Sequence, residues 1–272
     1  MHQAMEERAA FHSIRPDHVV GIGDRRQGVR KADGPRGDSR GGLPGERRRA
    51  GAKLPAGFVY LRDIDPTIIQ DMRYAGANNF VGRPLRGYRA AECVVKREVG
   101  ALLKSVQEEL ALQNLSLKMF DCYRPTRAVA DMVAWSRDGR ETPAQKRYNP
   151  AFSKADLFRL GYIATHSGHS TGAALDLTLV DLKADNSAAF DPAKDYGDCT
   201  ANVNLRAPDG SVDMGTGYDC SDVKSHTAAR SITAAQRRWR RHAGSADGAA
   251  RICELFEGVV ALFAAGRGRA GL

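Results

Sequence analysis

Between residues 165 and 180 a polar turn runs straight into an apolar strand, and this junction sets narrow terms for the fold. Residues 173–180 alternate, with Leu175, Leu177 and Leu179 at every second position. A period of two predicts a strand with the leucines on one face and Ala174, Asp176 and Thr178 on the other. The chain must therefore carry a carboxylate on the sheet face opposite its leucines. Seven positions earlier stands His169, on a turn that Gly172 allows to be tight. Imidazole plus carboxylate is a donor pair that suits zinc, and a catalytic zinc takes three protein ligands and keeps one position open. The same spacing also suits a structural hydrogen bond between His169 and Asp176 at a loop end.

The flanking segments supply a scaffold for that junction. Val99, Leu102, Leu103, Val106 and Leu110 recur at helical spacing and predict an amphipathic helix over 97–112, with Asn114 marking its end. Residues 115–120 alternate and predict a strand, and 121–125 (Asp-Cys-Tyr-Arg-Pro) a turn. Pro125 and Thr126 suit a helix start, with Val129, Met132 and Val133 as its buried side. Residues 181–217 are rich in Asp, Asn, Gly and Pro and read as long loops. Helix and strand interleave without a regular β-α-β rhythm and without internal repeats, which points to an α+β fold.

Charge divides the chain of 272 residues into three parts. Residues 1–53 hold 12 Lys+Arg against 7 Asp+Glu, and residues 237–272 hold 7 against 3. The body between them holds 22 of each, so the formal net charge of +9 sits at the two ends. Without a basic stripe on the body, a nucleic-acid partner is not expected. No apolar run approaches the roughly 18 residues a membrane span needs, so no membrane partner is expected either. Residues 1–53, Gly- and Arg-rich, read as a disordered extension. The extension lacks the apolar core of a secretory signal, which places the chain as written in the cytoplasm; a different true start would permit the periplasm. Cys93, Cys122, Cys199 and Cys220 are an even set that would permit two bridges in an oxidising compartment, with the pairing left open.

Residues 167–176 (Ser-Gly-His-Ser-Thr-Gly-Ala-Ala-Leu-Asp) match the S-x-H-x-x-G-x-A-x-D pattern of zinc D,D-peptidases, and the sequence resembles the D-alanyl-D-alanine dipeptidase family, which includes the vancomycin-resistance dipeptidases. Met72-Arg73-Tyr74-Ala75, Asn79-Phe80-Val81-Gly82, the Tyr123-Arg124-Pro125 turn, and Met214 to Asp219 with Ser225-His226 agree with it, over roughly 54–240. The resemblance implies a zinc D,D-peptidase-like (hedgehog/D,D-peptidase) fold, a central mostly antiparallel sheet flanked by helices. It implies one zinc ion per chain, with His169 and Asp176 as ligands. Arg124 would stabilise the oxyanion formed when water attacks the peptide carbonyl. Asp219 would hold the ammonium group of a small free dipeptide, and Ser167 would contact substrate. His226 reads as a structural loop histidine.

The family draws its third zinc ligand and its general base from a late E-W-W-H block, which this sequence lacks. The genetic code offers a reason. Residues 258–263 (Gly-Val-Val-Ala-Leu-Phe) can be encoded by GGN GTN GTN GCN CTN TTY, which read one base later can spell Glu-Trp-Trp-His-Phe-Ser. The same shift lets 251–256 spell Gly-Phe-Ala-Asn-Tyr-Leu. The expectation is a change of frame near 239–242, making 241–272 an out-of-frame tail behind a peptidase domain over 54–240. The other readings are a zinc D,D- or L,D-carboxypeptidase of cell-wall peptides and a catalytically dead metal- or peptide-binding remnant. Oligomeric state is left open.

Overall fold

The computed structural model describes residues 54–245 and the backbone of 262–263; the expectations for 1–53 and for most of 241–272 lie outside the described residues. Chain order begins with β1 (Phe58–Tyr60), α1 (Leu61–Ile64), β2 (Ile69–Gln70) and β3 (Val94–Lys96). The long helix α2 (Arg97–Ala111) leads into β4 (Leu115–Asp121), α3 (Thr126–Ser136), α4 (Pro143–Tyr148) and α5 (Lys154–Arg159). Next come β5 (Leu175–Asp181), α6 (Ala234–Ser245) and β6 (Leu262–Phe263). No described helix is long and apolar enough to cross a membrane.

Each predicted element forms close to its expected place. Helix α2 buries Val99, Leu103, Val106 and Leu110 as one stripe, and Asn114 takes a left-handed conformation (φ 56°) beyond its end. Pro125 precedes α3, which buries Val129 and Met132 and leaves Val133 half-buried. Ser153 and Asp156 close a capping box at the start of α5, each side chain accepting the other's backbone N–H. Between β5 and residue 222, the described residues contain neither helix nor strand, as their composition predicts.

The main sheet runs β2-β4-β5-β6, with a separate antiparallel pair β1-β3. Strands β4 and β5 pair antiparallel from Leu115↔Asp181 to Asp121↔Asp176. Strand β2 runs parallel to β4, and β6 parallel to β5. The α+β class stands, but the sheet is mixed where a mostly antiparallel one was expected. The reason is connection length: β3 and α2 intervene between β2 and β4, giving enough chain for a parallel crossover.

Alternation along β4 and β5 sorts side chains between two cores. Leu115, Leu117, Met119, Leu175, Leu177 and Leu179 pack in one with the α2 stripe. Phe120 packs in the other with Ala128, Met132, Trp135, Tyr148, Leu157 and Tyr218. Each leucine, methionine or phenylalanine among them contributes about 1.5–3 kcal/mol on burial. Both faces of β5 are buried, so Asp176 points into the protein rather than to solvent. The cysteine pairing is now fixed: Cys93 bridges Cys122, and Cys199 bridges Cys220.

One buried hydroxyl yields a pH prediction. Tyr148 donates to the carbonyl (3.0 Å) and side-chain oxygen (2.8 Å) of Asn78. Burial pushes its pKa from 10.0 up to about 12, against the pull of Arg73. The unfolded chain therefore loses this proton first. Stability from this group is complete below pH 10 and falls as pH rises towards about 12. In Tyr148→Phe the slope of stability against pH across that window becomes shallower by about one proton, read by denaturant unfolding; an unchanged slope contradicts the assignment.

Candidate active site

The site is assembled where the end of β4, the start of β5 and the turn before β5 meet. Ser167 caps that turn, its hydroxyl oxygen accepting from the His169 N–H (3.3 Å). Gly172 closes it at φ 76°, and a Cβ there would lie 2.2 Å from Phe58 Cε1, so both conformation and space require glycine. The turn is tied to the 121–125 segment by Arg124 N–H to the His169 carbonyl (3.2 Å) and Ser170 Oγ to the Arg124 carbonyl (2.8 Å).

His169 is buried, and its Nδ1–H donates to the Cys122 carbonyl (3.0 Å). That bond fixes the tautomer and leaves the Nε2 lone pair facing Asp176 Oδ1, 3.4 Å away. The second Asp176 oxygen accepts from the Tyr218 hydroxyl (3.1 Å). A metal-binding imidazole characteristically donates its other nitrogen to a carbonyl or carboxylate in this way.

Asp121 is the residue that sequence reading passed over. The β4–β5 register shifts between Met119 and Asp121, and this irregularity turns Asp121 inward opposite Asp176. Its Oδ2 receives Arg124 Nε at 2.9 Å and lies 2.8 Å from Arg124 Nη2. Its Oδ1 receives the Tyr88 hydroxyl at 2.6 Å. Burial opposes the Arg124 charge, but Asp121, Tyr74, Tyr88 and Asp176 outweigh it and hold its pKa well above the usual value. Tyr88 is pushed upward by burial and then by the Asp121 charge, so its hydroxyl remains a donor. The Arg124 guanidinium also stacks 4.9 Å from the Tyr74 ring centre.

Asp121, His169 and Asp176 offer ligand atoms within 4.8 Å of one another, a group that could hold a metal ion. The geometry divides their roles. Asp121 Oδ2 sits 3.3 Å from His169 Nδ1, the nitrogen already bonded to Cys122, and it is engaged by Arg124. The donors that fit a metal are thus His169 Nε2 and Asp176, with Asp121 orienting the imidazole and the guanidinium. Arg124 Nη2 is buried, forms no well-aligned hydrogen bond and stands 3.6 Å from Asp176 Oδ2. Its remaining donor capacity lies beside the ligand pair.

The other expected residues fall around this cluster. Asp219 adopts φ 54° and accepts a hydrogen bond from the Tyr74 hydroxyl. It lines a cavity with Asp176, Phe80, Leu157, Ile163 and Tyr218. His226 sits in its loop, its Nε2 3.1 Å from the Tyr162 hydroxyl. Ser167 is half-buried and serves the turn. Tyr88 and Tyr218 had no local signal, since their partners lie 33 and 42 positions away. Asp121→Ala leaves the buried Arg124 charge without its main partner and lowers stability by about 3–5 kcal/mol, measured by urea unfolding; a loss within about 0.5 kcal/mol, typical of surface positions, contradicts this account.

Comparison with known proteins agrees with the geometry. A family model described as D-ala-D-ala dipeptidase matches residues 55–195. The chain is 32% identical over 185 residues to a D-alanyl-D-alanine dipeptidase of Streptomyces coelicolor, covering 68% of this chain and 80% of that protein. It is 31% identical to one from Enterococcus faecium (69% and 81% covered) and 28% identical to one from Escherichia coli (67% and 72%). A matched segment that contains Arg124, His169 and Asp176, with relatives aligned over most of their length, makes this chain a peptidase belonging to the D-ala-D-ala dipeptidase family.

Proposed function

We propose that this protein is built to hydrolyse D-alanyl-D-alanine to two molecules of D-alanine with one zinc ion, on a zinc D,D-peptidase-like scaffold. The observation that carries this reading is the convergence of Arg124, His169 and Asp176 in one buried cluster beside the cavity that Asp219 lines. His169 Nε2 and Asp176 would hold the zinc, which would supply Lewis-acid polarisation and a lowered pKa for a bound water. Asp219 takes the dipeptide's ammonium group, and Ser167 contacts the substrate from the turn. Arg124 Nη2 donates to the oxygen that gains negative charge as water attacks the carbonyl. Held by Asp121, it needs little reorganisation as that charge develops. The proton lost by the attacking water must reach the leaving amine as the C–N bond breaks, which completes the hydrolysis.

We further propose that the chain as written is impaired. Among the described residues, two ligands would hold zinc weakly, and none stands as the base that takes the proton from water. The codons able to spell Glu-Trp-Trp-His in the next frame are those of residues 258–262, the last of them at the start of β6. The β6 backbone pairs with Leu175 and Asp176.

Two chains test both proposals: the present one, and one carrying the shifted frame from near residue 240. The shifted chain is expected to bind about one zinc and to cleave D-alanyl-D-alanine but not its N-acetyl analogue, while the present chain shows no turnover. In the shifted chain Arg124→Ala lowers kcat about 100- to 1000-fold. Preference for the N-acetylated substrate supports a carboxypeptidase instead. Zinc without turnover in both chains supports the binding remnant. Gene codons that cannot spell Glu-Trp-Trp-His end the frame argument.

A further inference from the structure

Each of the two disulfides adjoins a different half of the site. Cys122 lies between Asp121 and Arg124, and its own carbonyl receives the His169 Nδ1–H. Its partner Cys93 is fixed to the β1–β3 region, the Cys93 carbonyl accepting from Leu61 N–H (2.9 Å) and its N–H donating to Gln70 (2.8 Å). The first bridge thus anchors the segment that orients the metal-side imidazole and the guanidinium.

The second bridge anchors the substrate side. Cys220 directly follows Asp219, whose left-handed backbone is one few non-glycine residues adopt. Cys220 and Asp219 both line the cavity beside Asp176. Cys199 is held on α4 through Cys199 N–H to the Arg147 carbonyl (2.8 Å), and Gly217 N–H returns to the Cys199 carbonyl (2.8 Å). This loop has no helix or strand from 182 to 222, so the cross-link supplies constraint that secondary structure does not. All four half-cystines are buried.

We propose that the two disulfides beside Arg124 and Asp219 make this site dependent on oxidation, and that the protein works in an oxidising compartment outside the reducing cytosol. Thiol-reducing systems keep cytosolic cysteines unpaired, whereas buried bridges form and persist in exported proteins. The inference rests on the dipeptidase reading only for what the two loops hold. The pairing and its structural effect stand apart from that reading.

The test uses the full chain, exported into an oxidising compartment or retained in the cytosol. Thiols are counted after unfolding, bridges mapped by mass spectrometry, and zinc and D-alanyl-D-alanine binding measured with and without reductant. In the exported chain one cysteine of the five, Cys253, is expected to react. Reduction is expected to weaken dipeptide binding at least about 10-fold and to lower the thermal midpoint by several degrees. Cys199→Ser with Cys220→Ser should weaken dipeptide binding more than zinc binding, and Cys93→Ser with Cys122→Ser the reverse. Five reactive thiols in the exported chain, or a reduced chain with unchanged midpoint and unchanged binding, overturns the proposal. If the oxidised chain binds no dipeptide, the shifted-frame chain decides the functional reading. The thiol count and midpoint then decide this one alone.

Discussion

The site depends on one buried carboxylate. Asp121 receives the Tyr88 hydroxyl on one oxygen and the Arg124 guanidinium on the other, and it stands 3.3 Å from the His169 imidazole. A guanidinium as buried as Arg124 would be costly without an ionised partner at this distance. With that partner, its remaining donor capacity is held rigidly beside His169 and Asp176. Arrangement before reaction is what lets a fixed positive group favour a transition state over a ground state.

That carboxylate is placed by sheet geometry. Side-chain alternation sends the odd-numbered leucines of β5 and the apolar residues of β4 towards α2, and sends Phe120 towards the aromatic core. An ordinary continuation of the ladder would keep Asp121 in the alternation. The shift after Met119 breaks it and brings Asp121 opposite Asp176. Two like charges this close require compensation. Arg124 lies between them; the Tyr88 hydroxyl donates to the Asp121 oxygen that faces away from it, and the Tyr218 hydroxyl to the Asp176 oxygen that faces it. The tyrosines therefore belong to the electrostatics of the site as well as to its packing.

Among the described residues Asp121, His169 and Asp176 form a group that could hold a metal ion, with Arg124 beside it, and the proposed reaction also calls for a third ligand and a base. The strand beside Asp176 is β6, from the segment whose codons can spell the absent ligand and base. One cause, a change of frame, would account for both absences and leave the His169, Asp176 and Arg124 geometry intact.

Much of this was legible in local pattern. The two-residue alternation of 173–180, the stripe from Val99 to Leu110 and the turn at Pro125 are set by neighbours in the chain, and they form where expected. The spacing of His169 and Asp176 around Gly172 carried their approach to 3.4 Å for the same reason, since one turn and one strand fix their separation. Pairing across the chain was not legible. Cys93 with Cys122 and Cys199 with Cys220 span 29 and 21 residues, and the sequence offers no rule for choosing among pairings. The parallel outer strands, the tyrosine partners and the role of Asp121 likewise depend on which distant segments come together. Periodicity reports which face of an element is apolar, whereas the neighbour met by a polar atom on the other face is settled only when the whole chain packs.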